Sequence, residues 1–226
     1  GVGAKVSFNI ADRVITETRS DSFTGGSKWY LQGKKLLWDN IQSTYLQGNG
    51  TRVQVFFGSQ ARLSYTTTAH LVTLLRRHYL PLMDLKFLDM YNTFGFYSGN
   101  LRFIVNNHTI NPGKSTTDFT LDNVREFFPE KAGKRFGYGL FGLAAEEYPV
   151  ASDVCGVLLC THGKVIKADF FNQFPGDKGP RIFGLVEIPQ FVDFLTTSKT
   201  DFVRKGKPGD FEKLYGPVRE EFKAWL

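Results

Sequence analysis

The chain has 226 residues, 42% of them hydrophobic and 15% aromatic, with 22 phenylalanines as the main excess. That is enough apolar material for one large or two small folded domains, and with 22% charged residues it excludes a disordered or fibrous class. The formal charge of +6 permits an anionic partner, nucleotide or nucleic acid, without demonstrating one.

No apolar run approaches the roughly 18–20 residues that span a bilayer, and the opening residues from Gly1 to Lys5 lack a signal-peptide pattern. The expectation is a soluble protein without a membrane partner, cytoplasmic, or nuclear in a eukaryote. From the first residues onward, Ala4 to Ala11 reads as a short helix behind two glycines, and Arg13 to Arg19 alternates as a strand. A strand pair follows around Lys28 to Leu31 and Lys35 to Trp38. The Gly48-Asn49-Gly50 turn then leads into Thr51 to Phe57, whose β-branched and aromatic residues specify a strand.

Thr68 to His78 carries Leu71, Leu74 and Leu75 at helical spacing behind a run of threonines suited to capping. Leu101 to Val105 reads as a strand closed by Asn106-Asn107, with a short return through Thr109-Ile110 to Pro112. Leu121 to Phe128 is expected to be a helix ended by Pro129. Four strands should follow at Arg135 to Glu147, Val154 to Cys160, Gly163 to Phe170 and Arg181 to Ile188, the middle two joined by a hairpin at Thr161-His162-Gly163. Pro217 is read as opening a last helix with Val218, Phe222 and Trp225 on one stripe. This order predicts an α+β fold, a mixed sheet with helices on one side.

Two places could carry chemistry. Gly1-Val2-Gly3-Ala4-Lys5 is a glycine-rich turn running into a helix, where backbone amides and the Lys5 ammonium would favour an anion; a plain chain terminus explains it equally. Thr196-Thr197-Ser198-Lys199-Thr200-Asp201-Phe202 sets Lys199 among hydroxyls, a loop suited to presenting one ammonium to a phosphate or simply to connecting two elements. The remaining candidates are weaker. His70, His78, His108 and His162 never fall at metal-ligand spacing, so no metal site is assigned, and Cys155 and Cys160 read as reduced core residues. Glu146-Glu147 and Asp153 read as a charged strand end, and Arg204-Lys205-Gly206-Lys207 as a solvated basic run with nucleic acid as the minority reading.

Together these landmarks resemble the GHKL class of ATPases. The segment from Gly1 to Ser7 is similar to the last glycine box, which closes the lid over ATP. Trp29, the strand from Gly50 to Val55 and the Lys199 loop resemble the end of the nucleotide domain and the transducer domain. Ser198-Lys199-Thr200-Asp201-Phe202 looks closest to the Asn-Lys-Gln-Asp-Phe of MORC ATPases, with Thr197-Ser198 standing where those have His-Asn. The resemblance implies that residues 1–60 are a remnant of the nucleotide-binding domain and 61–226 a transducer domain with a ribosomal-protein-like β-α-β fold and left-handed crossover. It implies phosphate contacts by Gly1, Gly3, Lys5 and Lys199, with Lys199 also the catalytic lysine. It further implies ATP and Mg2+ held mainly by an ATP-binding domain preceding Gly1, and homodimerisation coupled to nucleotide. A basic nucleic-acid-binding module and a chaperone-like clamp remain as readings of other classes.

Overall fold

The computed structural model describes residues 8, 10–59, 67–95, 101–112, 120–146, 150–152, 154–203 and 209–226, the side chain of Lys86 excepted. The chain divides into two compact units, Gly1–Ser64 and Tyr65–Leu226. The first is a four-stranded antiparallel sheet: β1 (Ala11–Arg19), β2 (Thr24–Gln32), β3 (Lys35–Ile41) and β4 (Gly50–Phe57), in the order β3-β2-β1-β4. Its valines, isoleucines and threonines suit a pleated, half-buried surface. Ala11, expected to end a helix, instead begins β1, where it pairs with Phe57; most of that expected helix lies outside the described residues. On the central strand β1, Glu17 is 2% exposed and accepts from the Thr44 amide and from Arg52, each at 3.0 Å. The Thr44 amide first, then the Arg52 guanidinium, hold its carboxyl below the ordinary range.

The second unit begins with α1 (Thr68–His78), α2 (Leu80–Met83) and α3 (Leu85–Phe94). Thr67 caps α1 by accepting from the His70 amide at 3.2 Å, as the threonine run predicts. Strands β5 (Phe103–Val105) and β6 (His108–Ile110) form a small hairpin across Asn106 and Asn107, both at positive φ. The main sheet comprises β7 (Leu121–Phe127), β10 (Tyr138–Ala144), β11 (Gly156–Thr161), β12 (Lys164–Asp169) and β13 (Ile182–Glu187), while β8 (Glu130–Lys131) and β9 (Lys134–Arg135) make a separate short ribbon. The order is β12-β11-β13-β10-β7, with β11 and β13 parallel and every other neighbour antiparallel. Two 3-10 segments, η1 (Gly176–Arg181) and η2 (Pro189–Phe194), flank β13, and α4 (Asp210–Trp225) closes the chain.

The α+β class and the mixed sheet are as the sequence predicts, but the helices cover both faces of the sheet. Leu158, Cys160, Phe183 and Leu185 pack with Leu80, Phe87 and Tyr91 of the α2–α3 layer. Their alternate neighbours Val157, Leu159, Ile182 and Val186 pack with Phe191 of η2 and with Phe211, Tyr215, Val218 and Phe222 of α4. Every residue of β11 and of β13 is buried, as central strands covered on two faces require.

Two expected helix features are overturned. Leu121–Phe127 is the edge strand β7, paired with β10. Its apolar residues Leu121, Val124 and Phe127 stand three apart, the spacing of one helix face, but in the strand they share no face, and Val124 is exposed. Asn123 takes φ 48° where the register shifts, so Leu121 joins one core and Phe127 the other. Pro217 does not open the last helix but lies inside it. An interior proline costs about 3 kcal/mol, and the buried stripe of Phe211, Tyr215, Val218 and Phe222 continues through it and offsets that cost.

Candidate phosphate-binding site

Lys199 sits at the tip of a narrow hairpin-like loop that leaves η2. The loop's base is fastened by a bridge between Leu195 and Phe202 and by backbone bonds from Thr196 to Asp201 (2.9 Å) and from Val203 to Phe194 (2.6 Å). Phe194 and Phe202 anchor it against Phe191 and Phe211 in the aromatic core. At the tip the hydroxyls bond to one another, Thr196 to Ser198 at 3.1 Å and Ser198 to Thr200 at 2.8 Å, and the Lys199 amide donates to the Thr196 carbonyl at 2.9 Å. Lys199 itself is exposed and held at φ 55°, a conformation that costs a lysine on the order of 1 kcal/mol. The local hydroxyl network expected of this loop is present, joining Thr196, Ser198 and Thr200 around Lys199.

Asp201 ties the loop to the sheet. Its carboxylate meets Lys167 of β12 at 2.9 Å, and Lys167 also reaches Asp169 at 3.2 Å, which accepts as well from the Phe171 amide at 2.7 Å and the Tyr215 hydroxyl of α4 at 3.0 Å. These two carboxylates outweigh desolvation and raise Lys167 above the ordinary lysine range. Lys164, three residues earlier on β12, is half-buried and shifted the opposite way, down, by burial first and then by the positive charge of Lys199. Among the described residues neither Lys164 nor Lys199 has an acidic partner.

Lys164 follows the two-residue turn that joins β11 to β12. His162 (φ 48°) and Gly163 (φ 75°) both occupy the left-handed region, the primed-turn geometry favoured in tight hairpins. Only glycine fits at 163, because a Cβ there would lie 2.4 Å from Leu82. Both turn amides donate to the carboxylate of Glu187, His162 at 2.6 Å and Gly163 at 3.1 Å, and the Tyr91 hydroxyl of α3 donates to the same group. Glu187 is fully buried, and burial pushes its carboxyl up to about 7 against the opposing pull of those three donors. Burial raises the neighbouring Cys160 thiol, and Cys155 and Cys160 are both free, as expected of core cysteines.

Gly1, Gly3 and Lys5 lie outside the described residues, as do Asp153, Arg204, Lys205 and Lys207. Among the described residues, no three of the His, Cys, Asp and Glu side chains converge in a way that could hold a metal ion, and no helix is long and apolar enough to cross a membrane. Sequence reasoning missed Glu187 and Lys164. The signal for Glu187 was a lone acid closing an otherwise apolar strand, and for Lys164 it was the basic residue directly after a His-Gly turn.

No protein-family model matches the chain, and no curated protein matches it in sequence. Among solved structures, it is similar to the ATPase region of Saccharomyces cerevisiae topoisomerase II, with a TM-score of 0.47 and 10% identity over 99% of this chain and 62% of that one. It is also similar to the 43K ATPase domain of Thermus thermophilus gyrase B, solved in complex with an aminocoumarin, with a TM-score of 0.39 and 11% identity over 99% of this chain and 67% of that one. The chain thus spans less than two thirds of the yeast ATPase region. At these scores the likeness assigns no residue a role.

Proposed function

We propose that this chain is the transducer-type part of a GHKL-class ATPase, in which Lys199 meets the terminal phosphate of ATP held by a nucleotide-binding domain. The observation that carries the reading is the Lys199 loop: rigid at its base, bonded internally at its tip, and presenting an exposed ammonium from a strained backbone. Its sequence resemblance to the MORC lysine loop supports the same role. Bound Mg-ATP supplies the phosphoryl group whose charge such a lysine compensates. The described residues fit the phosphate end of that ligand, while magnesium and adenine fall to the nucleotide-binding domain in this reading, with Gly1, Gly3 and Lys5 as lid contacts. Engagement of Lys199 would draw the Asp201-Lys167 contact and the sheet edge along with the nucleotide, and so relay its state to dimerisation or client binding.

The test is Lys199→Ala in the two-domain protein. A charge-assisted bond of about 1.5–3 kcal/mol made in the transition state corresponds to a loss of roughly ten- to a hundredfold in ATP turnover. The melting temperature should hardly move, since the side chain is exposed. Lys199→Arg should recover only part, because a planar guanidinium does not reproduce a compact ammonium. Full turnover and unchanged ATP-dependent dimerisation in Lys199→Ala would remove the reading.

A further inference from the structure

The edge strand β12 carries a β-bulge, and that bulge decides which way Lys164 faces. Lys167 pairs with Leu159, Val165 with Cys160 and Lys164 with Thr161, leaving Ile166 as the extra residue. In an unbroken strand, residues three apart point to opposite faces. Here the inserted residue restores Lys164 and Lys167 to one face. The contacts agree: Leu159 belongs to the α4-side core, while Cys160 and Val165 pack in the core on the α2–α3 side. Thr161, opposite Lys164, donates to the carbonyl of Pro189 at the start of η2 at 2.9 Å. The face that holds Lys164 is therefore the one on which η2 lies, and the Lys199 loop leaves η2 and docks on that face through Asp201 and Lys167.

Three lysines thus share one side of the sheet edge, and their charges are handled differently. Lys167 is neutralised by Asp169 and Asp201. Lys164 and Lys199 have no such partner among the described residues and lie close enough for one to depress the protonation of the other. The field also reaches His78 at the end of α1, whose imidazole is held below its ordinary range by burial and then by Lys164 and Arg77. Two uncompensated ammonium groups repel in the free protein, and an anion between them turns that repulsion into two attractions.

We propose that Lys164 and Lys199 form a single anion site for a terminal phosphate, with Lys164 as the second phosphate-contacting group. The inference rests on the reading that Lys199 meets a phosphate. It adds a partner fixed to the rigid sheet to a lysine carried on a loop. The turn that carries Lys164 is itself held by Glu187, so the two ammonium groups are presented from two independently fastened elements.

The experiment follows the lysine side-chain NMR signals of this chain as inorganic pyrophosphate is added. The Lys164 and Lys199 signals should move together along one saturable curve. Lys164→Gln and Lys199→Gln should each weaken pyrophosphate at least about tenfold, the loss expected for one charged contact, and Lys164→Arg should recover part of it. In the free protein, Lys199→Gln should raise the titration midpoint of Lys164, because a neighbouring positive charge is removed; an unchanged midpoint would show that the two groups share no field and would overturn the proposal. If Lys199→Gln weakens binding while Lys164→Gln does not, the proposal fails and the reading of Lys199 stands. If neither weakens it, both fail. A short DNA duplex that shifts both lysines where pyrophosphate shifts neither would assign the site to a polymer backbone and likewise overturn the proposal. The His162 and Gly163 amide signals, held in place by Glu187, report whether each variant keeps the turn.

Discussion

At the scale of single residues, the strained backbone of Lys199 separates stability from function. Glycine adopts φ 55° freely, so Lys199→Gly should raise stability by about 0.5–1 kcal/mol in a denaturant titration while lowering ATP turnover as much as Lys199→Ala. A destabilised Lys199→Gly would mean that the loop does not store strain. Glu187 allows a second prediction. Its carboxyl is raised to about 7, so between the unfolded value near 4.5 and 7 the native state holds a proton that the unfolded chain has released. Stability contributed by this group is therefore present at low pH and lost as pH rises through that window, by on the order of 2–3 kcal/mol. His78, shifted down, has the opposite slope around its own range, so the difference between proteins is the informative quantity. Glu187→Gln removes the titrating group, at the cost of one accepting oxygen, so its stability should fall less than the parent's between pH 5 and 8; identical slopes would remove the assignment. The residue that sequence reading found, Lys199, announced itself through its polar neighbours. Glu187 and Lys164 were hidden because the surroundings of one come from a turn and a helix 24 to 96 residues away in the chain, and the facing of the other from a bulge that no local pattern displays.

At the scale of elements, strands with continuous β-branched or aromatic character were legible, and so was the Thr161-His162-Gly163 hairpin, since two residues between two apolar runs admit few turns. Leu121–Phe127 was misread because apolar residues three apart suggest one helical face, whereas a bulge without a local signal sends Leu121 and Phe127 to opposite cores. The α2–α3 layer was not anticipated, because Pro81 and the mixed run around it give no single period. That layer meets the turn of the hairpin where Leu82 fills the space over Gly163. Gly163→Ala should accordingly destabilise the protein by about 1–2 kcal/mol, combining a left-handed φ with a clash against the buried Leu82 side chain. If the clash dominates, adding Leu82→Ala should restore part of the loss that the single change causes; purely additive losses would assign the cost to φ alone.

For the molecule as a whole, burial is distributed unequally. In Gly1–Ser64 the buried described residues are Ala11, Val14 and Glu17, whereas Tyr65–Leu226 contains the extended aromatic and aliphatic cores. A four-stranded sheet with so little buried apolar surface should not be stable alone. Residues 65–226 expressed separately should therefore unfold in one cooperative thermal transition, and residues 1–64 should show none; cooperative unfolding of the small fragment would contradict this account. The overall class was readable from composition and the order of elements, but the covering of both sheet faces was not, because it depends on which strand the closing helix returns to.

The extra residue in β12 makes the Lys164 position a matter of counting as well as chemistry. Exchanging Ile166 for another apolar residue leaves the number of residues between Lys164 and Lys167 unchanged, and so leaves both pointing to one side. Deleting it would erase the bulge and turn Lys164 away without altering a single charge. Variation at position 166 should therefore be free among apolar residues and strict in length, and a one-residue gap there would silence the site as fully as losing Lys164 itself.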